Sequence, residues 1–231
     1  MKRMVIHLLT FAALLLAVPV VASAGHNPHH DPGPPGASTV SIAAKPLPVT
    51  SGQSTVISGQ LSSKTAGVTV TLEAKPYPYT GAYNTAATSV TGAGGNYSFT
   101  VSPTLNTRYR AVASASPAVT SPEITVGVRM KVGFVISDTT PRLGQRIVFR
   151  GTVRPAHDGG VAHIQKRTSS GWRHFSHATL TDAGDARSVF RRTIRIRSGS
   201  VFGRDGVYRV RVTGHGDHVG GISRTIAVDV R

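Results

Sequence analysis

GQSTVISG at residues 52–59 and GQRIVFRG at residues 144–151 decide the fold. Each opens on Gly-Gln, closes on Gly, and between them alternates apolar and polar side chains with the period of two that a half-buried strand imposes. In the second stretch the alternation puts Ile147, Phe149 and, just beyond, Val153 on one face and Arg146, Arg150 and Arg154 on the other. In the first it hides Ile57 and Leu61. The offset of 92 (144 − 52) also relates Gly67 to Gly159 and Leu72 to Ile164. The recurrence resumes at 90, where Thr91-x-Ala93-Gly94 answers Thr181-x-Ala183-Gly184, and at 99, where Tyr109-Arg110 answers Tyr208-Arg209. At 102, Val126-x-Val128 answers Val228-x-Val230. Offsets that hold within strands and drift between them describe two copies of one unit with insertions in surface loops. Copy two is expected to carry a longer loop around Ser198 to Asp205.

Working outward, short runs rich in Val, Ile, Thr, Tyr and Phe are broken about every 8 to 12 residues by Gly, Pro, Asn or Asp, the pattern of an all-β sandwich. No stretch sustains the i, i+3, i+4, i+7 apolar pattern of a helix. The strand after each quoted stretch buries Val70 and Leu72, or Ala162 and Ile164. Thr91 to Gly95 and Thr181 to Asp185 read as hairpin turns whose glycines tolerate positive φ. Tyr109 and Ala111, and Tyr208, Val210 and Val212, point inward, with each tyrosine where a tyrosine corner is expected. The fold class is therefore all-β: two tandem antiparallel β-sandwiches, residues 38–128 and 129–231. Met1 to Ala24 has the layout of a secretory signal, with Lys2 and Arg3, an apolar run through Leu14, Leu15 and Leu16, and Ala22-Ser23-Ala24 for cleavage. That run falls short of the roughly 20 residues of a membrane span. Residues 25–37, GHNPHHDPGPPGA, are too rich in proline and too poor in apolar surface to fold alone and read as a disordered tether.

The 231 residues contain no cysteine, which excludes disulfides, thiolate metal sites and thiol chemistry. The net charge of +16 is unevenly divided: five basic and two acidic residues in Ser38 to Val128 against nineteen and seven in Arg129 to Arg231, +3 against +12. With Phe190, Ile194 and Ile196 inward, Arg191, Arg195 and Arg197 face outward on a strand expected beside that of Arg146, Arg150 and Arg154. Six guanidiniums on one sheet face repel one another unless an anion bridges them, and guanidinium pairs phosphate, sulfate or carboxylate well. Arg192 has inward parity, which raises a bulge as the alternative register there. No aromatic side chains interleave with this stripe to stack bases, so nucleic acid is not the expected partner despite the charge.

Histidines cluster at His26, His29 and His30, at His174 and His177, which strand parity places on opposite faces, and in the loop His215-Gly-Asp217-His218. His215, Asp217 and His218 are the residues best placed to converge on a metal, but they fall short of the four rigid donors of structural zinc, and no metal or other cofactor is expected. Leu47 to Ser51 approximates a sorting signal but reads better as a strand-to-turn entry, and Asn96-Tyr97-Ser98 matches a glycosylation sequon but reads better as the turn into a strand. Asp182 and Asp185 offer too few oxygens for calcium. No nucleophile elbow, His-Glu-x-x-His or phosphate loop occurs, so an enzyme is not expected.

Gly-Gln-x-x-x-x-x-Gly in both copies, the Gly95-Asn-Tyr-Ser-Phe99 turn and strand, Trp172 after Ser-Gly, and Tyr-Arg near each end together resemble the tandem immunoglobulin-like domains of secreted and surface proteins of high-GC Gram-positive bacteria. Arg187 stands where the pattern of the first copy has Tyr97, and a carboxypeptidase-regulatory-like sandwich is the close topological alternative. The resemblance implies an immunoglobulin-like sandwich serving as spacer, adhesin or accessory module. The expectation is a secreted, wall-associated or surface protein without catalysis, binding an anionic envelope polymer or acidic glycan through Arg146, Arg150, Arg154, Arg191, Arg195 and Arg197. A surface-protein partner is a further expectation, and a spacer with no ligand of its own is the alternative.

Overall fold

Alternation in sequence becomes alternation in burial throughout a computed structural model that describes residues 38–184, 186–197 and 205–231. The expected signal and tether, Asp185, and most of the loop expected from Ser198 lie outside the described residues. The first ten strands are β1 (Ala43–Lys45), β2 (Val49–Thr50), β3 (Thr55–Gln60), β4 (Thr69–Pro76), β5 (Asn84–Val90), β6 (Asn96–Val101), β7 (Thr107–Ala113), β8 (Val119–Thr120), β9 (Ile124–Val126) and β10 (Val128–Arg129). Then follow β11 (Lys131–Ile136), β12 (Arg146–Arg154), β13 (Val161–Thr168), β14 (Gly171–Thr179), β15 (Thr181–Asp182), β16 (Ser188–Arg195), β17 (Gly206–Val212), β18 (Gly221–Ile222) and β19 (Ile226–Val228).

Sheet β1-β3-β6 faces sheet β5-β4-β7, whose edge is completed by β8 and β9; β2 and β10 form a short parallel pair. The second sandwich repeats this, with β11-β12-β16-β15 against β14-β13-β17 plus β18 and β19. The protein is thus two antiparallel β-sandwiches in tandem with immunoglobulin-like strand order. Ile57, Leu61, Val70, Leu72, Phe99 and Ala111 fill the first core; Ile147, Phe149, Ile164, Phe190, Tyr208 and Val210 fill the second. Phe149 is its hub, stacked on Phe134 at 6.0 Å and edge-on to Tyr208 at 5.3 Å. Burying one such ring contributes about 1.5–3 kcal/mol.

The two quoted glycines have separate reasons. Gly52 (φ 82°) and Gly144 (φ 85°) occupy the third position of turns closed by Gln53 N–H to Thr50 O and Gln145 N–H to Arg142 O. That position of a type II turn requires positive φ. Gly59 and Gly151 lie opposite Tyr97 and Phe190, whose rings cover them, and beside the backbone carbonyls of Ser41 and Gly133.

This register corrects the repeat. Phe190, not Arg187, is the counterpart of Tyr97. Leu180, not Thr181, answers Thr91: each exchanges backbone hydrogen bonds with the paired strand's leading glycine segment, Gly67 and Val68 or Gly159 and Gly160. The recurrence at offset 90 is a likeness of turn composition: the turn after Thr91 carries the chain from one sheet to the other, whereas the turn after Asp182 closes the expected hairpin, joining β15 to β16 within one sheet. The tyrosine corner is also corrected: among the described residues neither Tyr109 nor Tyr208 bonds to backbone through its hydroxyl, and Tyr97 makes that tie, to Ser41 O.

Only Met130, fully buried, separates β10 from β11, and the described residues belong to one compact unit. The turn His215–His218 of the second sandwich docks on the first. Asn106 N–H donates to Asp217 O (2.8 Å), Asn106 Nδ2 to Gly216 O (2.9 Å), and Met130 N–H to Val219 O (2.9 Å).

Candidate anion-binding face and histidine cluster

Because core-facing residues of β12 and β16 occupy one parity, the arginines take the other. In the continuous antiparallel register, Arg146 lies opposite Arg195 and Arg150 opposite Arg191, while β11 sets Lys131 opposite Arg154. Directly opposed side chains in such a ladder are about 5 Å apart at Cβ, and successive pairs four residues along the strand are about 13 Å apart. All five of these arginines are exposed, and Val148, Thr152 and Thr193 are the neutral residues between them. Arg197, two residues past the end of β16, is exposed as well. Arg195 Nε donates to Gly144 O at 3.1 Å. No carboxylate of the described residues comes within 4 Å of Arg146, Arg150, Arg154, Arg191 or Arg195.

The first sandwich treats its arginines differently. Arg110 Nε meets Glu73 Oε2 at 2.6 Å and Arg108 Nε meets Glu123 Oε1 at 3.3 Å. Their guanidiniums lie over Tyr83 and Tyr79, at 4.1 and 4.2 Å from the ring centroids. Charge there is compensated locally; on the β12–β16 face it is not.

Arg192 causes no bulge in its own strand. It sits at inward parity opposite Phe149 but escapes through the open side of the sandwich, where its Nε donates to Ser176 Oγ on β14 at 3.1 Å. With His174, His177, Arg195 and Arg197 it lines an open groove between the β14 and β16 edges. The bulge is in β14, between the pairs Ile164–Ser176 and Gln165–His174, with Phe175 as the extra residue. It turns His174 and His177 to the same face, their rings 5.9 Å apart, with His163 6.0 Å from His174. The opposite-face expectation for His174 and His177 fails because period two does not survive an inserted residue.

The candidate metal trio is also rearranged. His215 is exposed; Asp217 and His218 meet instead His157, from the β12–β13 loop. His157 was missed because it lies sixty residues away (217 − 157) from Asp217, and its only local signal is the turn-forming Asp158-Gly159-Gly160 beside it. Asp182 caps its own turn, its Oδ1 accepting from Gly184 N–H at 2.8 Å.

Among the described residues, fold and surface together define a tandem immunoglobulin-like β-sandwich protein with opposed arginines on the β12–β16 face. No family model matches the chain. No curated protein matches it either. Among solved structures it is similar to one described as the tetra-tandem repeat in the extending region of a large adhesion protein, at 18% identity and a TM-score of 0.36. That match covers 84% of this chain, which spans 50% of the other. A likeness at this level carries no argument about what either protein binds. No helix among the described residues is long and apolar enough to cross a membrane.

Proposed function

We propose that the protein is a non-enzymatic binding or adhesion module, exported by the Met1–Ala24 signal, whose second sandwich holds an anionic envelope polymer or acidic glycan. The resemblance to surface proteins of high-GC Gram-positive bacteria supports that setting. The observation that carries the reading is the pair of directly opposed arginines, Arg146–Arg195 and Arg150–Arg191, without a carboxylate in reach. Opposed like charges cost stability, and a polyanion with charges repeating along the strand direction relieves both pairs at once. Arg154 extends the row on one side and Arg197 on the other. Anionic wall polymer immobilised on beads tests it: retention at about 50 mM salt should be lost by about 300 mM, as screening shortens the range of exposed charges. Replacing Arg146, Arg150, Arg191 and Arg195 with Ser should abolish retention at low salt. Retention insensitive to salt or to these substitutions overturns the proposal.

A second reading, a spacer without a ligand, draws support from the hydrogen-bonded joint at Asn106 and Met130, which suits holding two sandwiches at a set angle. Unchanged surface localisation of the four-arginine variant favours it.

A further inference from the structure

We infer that His157, Asp217 and His218 form a binding site for one divalent cation of the zinc class, at the turn that docks the second sandwich on the first. His157 Nδ1 lies 3.0 Å from Pro155 O, and His218 Nε2 lies 2.8 Å from Thr104 O. A carbonyl oxygen only accepts, so both nitrogens carry their protons. In the neutral imidazoles the lone pairs therefore sit on His157 Nε2 and His218 Nδ1. Both atoms are shut off from solvent and have no hydrogen-bond partner. Both lie near the same oxygen: Asp217 Oδ2 is 3.6 Å from His157 Nε2 and 3.0 Å from His218 Nδ1, and the three atoms lie within 4.8 Å of one another. The side chains of His157 and His218 are 8% and 4% exposed.

Three lone-pair-bearing atoms this close, two of them buried, repel. A proton on His218 Nδ1 relieves one of these contacts and leaves His157 Nε2 beyond hydrogen-bond length. A cation relieves all of them. Donors around a tetrahedral zinc at about 2.0–2.1 Å stand roughly 3.3 Å from each other, close to the 3.6 and 3.0 Å that separate Asp217 Oδ2 from the two imidazole nitrogens. The outward ring nitrogens are already held by backbone carbonyls, the second layer that orients metal-binding histidines. Two imidazoles and one carboxylate select zinc, cobalt, nickel or copper over calcium or magnesium. The remaining position opens to a shallow depression lined by Asp158, Gly159, Gly160 and His215, which admits water. Because His218 also bonds Thr104 and Asp217 O accepts from Asn106, a bound cation stiffens the joint between the sandwiches.

The test uses the full chain with His26, His29 and His30 replaced by Ser, so that these histidines do not compete. After chelator treatment, Zn2+ titration by calorimetry should give one equivalent per chain, Co2+ should give a tetrahedral absorption spectrum, and Zn2+ should raise the melting temperature. Asp217→Asn and His157→Gln should each weaken binding at least about tenfold, while His163→Gln should not. Absence of a saturable site, or affinity unchanged by Asp217→Asn and His157→Gln, overturns the inference. If either variant fails to fold, imidazole NMR of the parent chain decides: Zn2+ perturbing His157 and His218 supports the site, and perturbation confined to other histidines overturns it.

Discussion

Gly151 shows how much one side chain's absence organises. A Cβ there would enter the Phe190 ring, at 2.5–2.6 Å, and overlap the carbonyl of Gly133 on the neighbouring strand. The ring could shift only by leaving the core around Phe149, and the carbonyl only by parting β11 from β12. Gly151→Ala is therefore expected to destabilise the protein by about 1–3 kcal/mol, the usual cost of overpacking. Urea unfolding reads this as a lower midpoint at unchanged slope; a variant as stable as the parent contradicts the packing described. Gly59, beneath Tyr97, obeys the same rule in the first sandwich.

Strands show where local periodicity holds and where it breaks. Parity correctly separates core from solvent along β3, β12, β13 and β17, and on β16 it separates Phe190 and Ile194 from Arg191 and Arg195. On β14 the bulge at Phe175 resets parity and builds a face of His163, His174 and His177 next to Arg211 on β17. Burial first, and then His174, His177 and Arg211, hold the His163 imidazole below its ordinary value of 6.5. A base whose folded value is depressed takes its proton first in the unfolded chain, so its contribution is complete above pH 6.5 and is lost as pH falls from there through the lower folded value. The melting temperature should accordingly drop between pH 7.5 and 5.5, by less in His163→Gln. An NMR titration placing His163 above 6.5 would contradict this arrangement.

At the scale of the molecule, the joint is built from polar groups that cannot be left unpaired. Asn106 is 9% exposed and makes four bonds: its Oδ1 accepts from Val128 N–H (2.7 Å), its Nδ2 donates to Gly216 O, its backbone N–H donates to Asp217 O, and its backbone carbonyl accepts from Tyr77 N–H. Asn106→Ala strands the buried Val128 amide, at roughly 1–3 kcal/mol for a buried group left unsatisfied, and removes the bond to Gly216 O. Differential scanning calorimetry should show a lower transition for the variant; an unchanged thermogram would mean that the joint does not bear on stability.

The all-β class, the repeat, the core faces and the outward parity of the arginines follow from the sequence alone, because a strand's period of two and a turn's need for glycine are local properties. The partners of those residues do not. Whether Arg150 faces Arg191 or a carboxylate depends on which strands become neighbours, and the bulge at Phe175 accompanies contacts of that ring with Phe149 and Tyr208, which come from other strands. His157 and His218 meet because β13 pairs antiparallel with β17, which brings the loop before one strand beside the loop after the other. Contacts between residues sixty apart are set by that long-range pairing, which tertiary structure alone decides.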